Sequence, residues 1–252
     1  MKDFSSWNRL DIPVSGITEK VWLTDEYGVR KGLFKFGEEW TEEIAKDLAA
    51  LFKIPCMECE YGTYRGLNGV MCYDIGNIIE MGDLYTAAHS DLDVTYSLKN
   101  LITKVSEETF RSLLKMFIFD FVIGNRDRHS GNFALGYDGS LAPLYDNASS
   151  LCYKMTPKRA RALKENQNAL LEYSLDILSH VRIPERLSNL GLMYHIRDEY
   201  SDLWTNLVHD FLDVDITKIE MTIAKFNKFV HMDILYCITY GVRTRLEYLK
   251  GV

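Results

Sequence analysis

Residues 117–150 read FIFDFVIGNRDRHSGNFALGYDGSLAPLYDNASS, and the remainder of the chain is best understood as a frame for them. Three polar side chains, Asp127, Asn132 and Asp146, stand among short apolar, strand-like runs. Phosphoryl transfer needs an Asp that accepts a hydroxyl proton, an Asn five residues on that binds Mg²⁺, and a further Asp beyond a hairpin as second metal ligand. The flanks agree. Phe110–Ile123 reads as a buried helix that Gly124-Asn125 ends, since both residues tolerate left-handed backbone angles. Asn132–Leu135 and Ser140–Tyr145 then read as two short strands about a turn at Tyr137-Asp138-Gly139. The bland alternative, three solvated loop residues, leaves unexplained why both acids follow apolar runs that would set them at strand ends, where clefts form.

The segment GNRDRHSGNFAL (124–135), followed by APLYDNASSL (142–151), closely resembles the HipA-like kinases, particularly the compact bacterial serine/threonine kinases of CtkA type. Asp127-Arg128-His129-x-x-Asn132 also looks like the D-R-H-x-x-N loop of phosphoinositide kinases in the same superfamily. The resemblance implies an α+β, bilobal protein-kinase-like fold. Residues 1–82 would form a β-rich N-lobe with phosphate loop, Lys strand, helix and hinge, and residues 83–252 a helical C-lobe with the catalytic loop and metal site. ATP and Mg²⁺ are the implied cofactors. Asp127 would orient or deprotonate the acceptor hydroxyl, Asn132 and Asp146 would hold the metal, and Ser15, Gly16, Ile17 and Thr18 would cap the phosphates. His129 either lends positive charge to the γ-phosphate or locks the loop by hydrogen bonding.

Composition sets the outer bounds. A chain of 252 residues, 47% hydrophobic and 12% aromatic, can bury a sizeable core as one large domain or two lobes. A net charge of −7 argues against direct nucleic-acid binding or attachment to anionic membrane by electrostatics alone. No run approaches the roughly 18 apolar residues of a spanning helix, and the N-terminus has no apolar signal core, so a cytoplasmic protein is expected. Five cysteines without a signal peptide read as free thiols. Cys56-Met-Glu-Cys59 lacks a second ligand pair and reads as structural.

In chain order, a strand at Val21–Thr24 turns at Asp25–Gly28 and returns as Lys31–Phe36. Lys35 is expected on an inner, otherwise apolar face beside Leu33, where the α- and β-phosphates would pair it; the alternative is a surface lysine in the opposite register. Gly37–Lys53 reads as an amphipathic helix with Ile44, Leu48, Leu51 and Phe52 on one side. Glu42, at the border of that arc, either turns inward to pair with Lys35 or is a solvent-facing first-turn acid favoured by the helix dipole. Strands follow at Cys56–Tyr64 and Val70–Ile75 about a turn at Gly66–Gly69. The apolar run Asn77–Leu84 resembles an inter-lobe hinge, where the backbone of Glu80 and Met81 would meet the adenine edge. Helical periodicity dominates after Asp91, near 96–105, 110–123, 186–195, 203–212, 216–230 and 232–248. A further helix from Pro157, capped by Thr156, carries Lys158, Arg161 and Lys164 in a stripe that is either a solvated face or a meeting point for an anionic substrate.

These readings converge on an ATP-dependent Ser/Thr protein kinase with a protein substrate. The resemblance further implies autophosphorylation at Ser15 or Thr18, a toxin role and an antitoxin partner. The alternatives are a lipid or small-molecule kinase, for which no basic patch speaks, and a catalytically silent nucleotide-binding scaffold. Two departures stand out: Asp146 is followed by Asn-Ala rather than Phe-Gly, and the extra N-terminal subdomain of the larger HipA toxins is not expected here.

Overall fold

The computed structural model describes residues 1–14, 19–37, 40–81, 97–183 and 185–252. The expected phosphate loop, Ser15, Gly16, Ile17 and Thr18, lies outside the described residues, as does the chain from Gly82 to residue 96.

The first part of the chain is a six-stranded sheet in the order β1-β5-β6-β4-β3-β2, built from β1 (Lys2–Asp3), β2 (Asn8–Arg9), β3 (Lys20–Thr24), β4 (Lys31–Phe36), β5 (Cys59–Tyr64) and β6 (Leu67–Tyr73). All its pairings are antiparallel except β1 with β5. Alternation along the strands sorts the two faces. Phe34 and Met71 pack with Phe4, Leu23 and Tyr64 on one side. Val70 and Cys72 face the other side with helix α1 (Trp40–Leu51), whose Ile44, Ala45, Leu48 and Ala49 are fully buried. Lys35 is register partner to Val70 and Leu33 to Cys72, so the lysine falls on the face that α1 covers.

The described residues from 97 onward are mainly helical. A long helix, Glu107–Ile123, is buried along almost its whole length, and its Phe119 packs edge-on to Phe52 from behind α1. Ser106 caps its start by accepting from the Thr109 amide, and Gly124 ends it at φ 69°. The strand Ala134–Gly136 pairs with Ile78–Glu80, joining the expected hinge to the segment after Asn132 in one small ladder. Helices at 157–165, 167–175, 189–199, 201–212, 216–224 and 232–251 complete this half, with Thr156 and Pro157 at the cap and first-turn positions expected for them. No helix among the described residues is long and apolar enough to cross a membrane, and all five cysteines are free thiols.

Several expectations shift. The turn expected at Gly66–Gly69 is the tighter pair Arg65-Gly66, at φ 52° and 77°, so β6 starts at Leu67. The strand expected from Cys56 begins at Cys59, because the amide of Met57 and the thiol of Cys56 are both committed to the Leu144 carbonyl. Ser140–Tyr145 forms no strand but two isolated bridges, Leu141 to Leu135 and Leu144 to Cys56, while Ala134–Gly136 pairs with Ile78–Glu80. Where a helix was expected from Arg186, Glu185–Ser188 instead pairs antiparallel with Leu178–Ile183 in a hairpin whose Ser179 and Val181 point inward. Its helix starts at Asn189, after Ser188 accepts from the Gly191 amide. The helical run expected over 216–230 breaks after Ala224 into a short 3₁₀ turn.

One ion-pair cluster fastens this scaffold. Asp210 accepts from Lys53 at 2.8 Å, just past α1, and from Lys115 at 2.9 Å. The two lysines hold its carboxyl down to about 2. A folded-state pKa below the unfolded value stabilises above the unfolded pKa of about 3.9 and loses that contribution as pH falls through 2. The melting-temperature gap between the wild type and Asp210→Asn is therefore expected to be widest above about pH 5 and to close toward pH 2, as thermal melts across that range would show.

Candidate active site

The strand–helix geometry brings together residues far apart in sequence. Lys35 Nζ donates to Glu42 Oε1 at 2.6 Å and to Asp146 Oδ1 at 2.9 Å. Glu42 is fully buried, and its second oxygen accepts from the Asn147 amide at 2.8 Å. Thr41, beside it, donates to the Ala148 carbonyl at 2.8 Å. The first turn of α1 thus holds the backbone immediately after Asp146. Burial alone would push Lys35 down, but Glu42, with Cys72 and Asp146, overrides it and holds the ammonium well above its ordinary value. Burial likewise would raise Asp146, and Lys35 reverses this, keeping the carboxylate ionised. Asp146 sits at φ 54°, a left-handed conformation that Asp tolerates better than most residues.

The loop after the long helix is organised by a buried guanidinium. Arg128 forks onto both oxygens of Asp120, at 2.9 Å each. Its Nη1 donates to the Asn132 and Tyr145 carbonyls, both at 2.7 Å, and its Nη2 to Asn147 Oδ1. Asn125 completes the set by donating to Asp120 at 2.9 Å while its Oδ1 accepts from the Asp127 amide. The long helix, the loop over residues 125–132 and the Asp146 segment are therefore one hydrogen-bonded unit. Asn132 Nδ2 donates to the Asp127 carbonyl at 2.7 Å, and its Oδ1 has no partner among the described residues. His129 Nδ1 accepts from the Gly131 amide at 3.0 Å, which orients the ring within the loop.

The Asp127 side chain is about half exposed. His180, from the hairpin, brings its Nε2 to 3.8 Å from the Asp127 carboxylate. Burial, then the charge of Arg186, depresses the His180 pKa, so near neutral pH the ring is uncharged and leaves Asp127 unneutralised. At the expected hinge, Glu80 pairs with Ala134, and the Met81 amide donates to the Phe133 carbonyl at 3.1 Å. Of the basic stripe, Arg161 and Lys164 are drawn to Asp233, while Lys158 is exposed.

The sequence reading passed over Asp120, Asn147 and His180. A lone carboxylate in the apolar run FIFDFVI was a visible signal for Asp120, because a buried acid demands a partner. His180 carried none, since its hairpin has no hydrophobic alternation.

A curled sheet, one helix carrying a buried Glu against a strand Lys, and a helical half presenting an Asp–Asn loop beside a second Asp define a protein-kinase-like fold. Within that class the chain belongs to the family of the HipA-like C-terminal domain, whose family model matches residues 12–201. Among solved structures it is similar to the Helicobacter pylori proinflammatory kinase CtkA, with a TM-score of 0.84 and 16% identity over 99% of this chain and 96% of that one. It also resembles HipA from the Shewanella oneidensis MR-1 toxin–antitoxin complex with HipB and operator DNA. There the TM-score is 0.58 and the identity 13%, over 95% of this chain and 65% of the other. At the sequence level it is 39% identical over 67 residues to Y4mE, a kinase candidate of Sinorhizobium fredii (strain NBRC 101917 / NGR234). That match spans 24% of this chain and 16% of that relative.

Proposed function

We propose that the protein transfers the γ-phosphate of ATP to a Ser or Thr hydroxyl of a protein. The observation that carries this reading is the contact of Lys35 with both Glu42 and Asp146, made while Arg128 ties the Asp127–Asn132 loop to the same Asp146 segment. In this reading Lys35 exchanges part of its hold on Asp146 for the phosphates of ATP, and Glu42 keeps it aimed. Asp127 accepts the proton of the acceptor hydroxyl as the oxygen attacks the γ-phosphorus, and the bond to the β,γ-bridging oxygen breaks with ADP as leaving group. The donor set suits Mg²⁺: one carboxylate from Asp146 and the unpartnered amide oxygen of Asn132 are hard oxygen ligands, in the small number Mg²⁺ takes when phosphates supply others. Bound there, the ion would neutralise charge on the phosphates.

Lys35→Met is expected to weaken ATP binding by about tenfold or more, the order of one charge-assisted hydrogen bond. It also leaves the buried Glu42 without its cation, so the melting temperature falls as well. Calorimetric titration with a non-hydrolysable ATP analogue and Mg²⁺ checks the first part; unchanged affinity would remove Lys35 from the site.

Self-modification belongs to the same proposal, at Ser15 or Thr18, where a phosphoryl group would set about −1.5 to −2 charge beside the triphosphate and lower ATP affinity. Ser150, a competing acceptor, is buried and donates to the Asn147 carbonyl at 2.6 Å. Mass spectrometry after incubation with ATP and Mg²⁺ is expected to find phosphate at Ser15 or Thr18; phosphate confined to Ser149 or Ser150 would contradict it. Use of cellular ATP fits a cytoplasmic location, and the likeness to HipA supports a toxin role with an antitoxin partner, which growth arrest on expression would test.

A further inference from the structure

A cavity of about 300 Å³ lies against the catalytic loop and includes none of Lys35, Glu42, Glu80, Met81 or Asp146. It touches the site described above at Asp127. In a chain of net charge −7, its wall carries three guanidinium groups, those of Arg126, Arg159 and Arg245, and a single carboxylate, that of Asp127. Arg126 and Arg159 lie over the Tyr173 ring, each 5.2 Å from its centroid, and neither has a carboxylate partner among the described residues.

Arg245, at the back, is buried. Its Nε donates to the Val122 carbonyl at 2.8 Å and its Nη1 to that of Ser174 at 2.9 Å, while Nη2 has no partner among the described residues. Burial pulls its pKa down to about 10, so it remains a cation at neutral pH. The wall beside it includes Cys152, which with its neighbour Leu151 holds a left-handed backbone conformation, φ 63° and 50°. Non-glycine residues keep such angles where the surrounding structure enforces them, which is commonest at binding sites. Buried positive charge with an unfilled donor, beside two uncompensated cations, favours an anion of side-chain size.

We infer that this cavity is an acceptor-side subsite that takes an acidic side chain of the protein substrate, near the hydroxyl presented to Asp127. The inference rests on the kinase reading for the identity of the ligand as an acceptor peptide. Arg245 anchors the carboxylate from behind, and Arg126 and Arg159, stacked on Tyr173, close over it. A substrate lacking the acid would leave Arg245 Nη2 unpaired, so the subsite discriminates by charge rather than by shape.

The test compares two pools of fluorescently labelled nine-residue peptides with a central Ser in an Ala/Gly background, one carrying a single Glu scanned through the other positions and its match carrying Gln. Binding is measured by anisotropy, and phosphate transfer from labelled ATP is followed in the same samples. Glu at one or two positions is expected to tighten binding by about tenfold, and Arg159→Gln or Arg126→Gln to bring the Glu/Gln ratio close to one. Both arginines are exposed, so these variants do not disturb the core. Equal affinity for the Glu and Gln pools in the wild type would overturn the inference whether or not transfer occurs. Glu-dependent binding abolished by Arg159→Gln, without transfer to any peptide, would instead uphold the subsite and count against the kinase reading.

Discussion

Asp127→Asn is expected to reduce phosphate transfer by about 10²- to 10⁴-fold, the usual contribution of a positioned general base. The fold and much of the ATP affinity should survive. The reason is local. The Asp127 side chain is about half exposed, and the loop's order comes from groups that the substitution keeps: the Asp127 amide held by Asn125 Oδ1 and its carbonyl held by Asn132. An amide in its place retains the shape but cannot take the acceptor's proton. Initial rates of label transfer, with circular dichroism and ATP titration on the same preparations, separate the chemical effect from any structural one. A variant that kept the wild-type rate would show that the loop has been assigned the wrong chemistry.

The largest effect on stability is expected from Arg128→Ala, about 3–5 kcal/mol, the range seen when one partner of a buried ion pair is removed. Arg128 and Asp120 are both about 4% exposed, so the carboxylate left behind has Asn125 but no cation. The loss extends beyond the pair, because the same guanidinium also satisfies the Asn132 and Tyr145 carbonyls and the Asn147 side chain. Lys at this position keeps the charge without the planar fork and should recover only part of the stability. Urea unfolding of wild type, Arg128→Ala and Arg128→Lys checks the order. A loss below about 1 kcal/mol, the scale of an exposed ion pair, would show that the network does not tie the loop to the Asp146 segment.

How far the sequence foretold this arrangement follows from the range of the interactions involved. The hairpin bearing Lys35, helix α1, the long helix and its Gly124 terminus were legible because each is written in local periodicity and turn chemistry. Glu42 was left between two readings, since its inward turn depends on which sheet face α1 covers, and that is settled by the β4–β6 register. The pairing of Ala134–Gly136 with Ile78–Glu80 joins residues more than fifty apart, and adjacent apolar runs pointed to the nearer hairpin instead. Arg128 was visible in the loop motif, but its role rests on carbonyl positions that only the folded backbone defines. The arginine-lined cavity draws on segments around residues 126, 159 and 245, and no spacing rule connects them.

The measurement that bears most directly on the central claim is a single-turnover experiment with γ-labelled ATP, Mg²⁺ and protein in excess, quenched and read for the position of the label. With wild-type protein the label is expected to leave the nucleotide and appear on Ser or Thr residues, while Asp127→Asn, with ATP still bound, retains it as ATP. ATP left intact by folded wild-type protein, or label transferred equally by Asp127→Asn, would contradict the account.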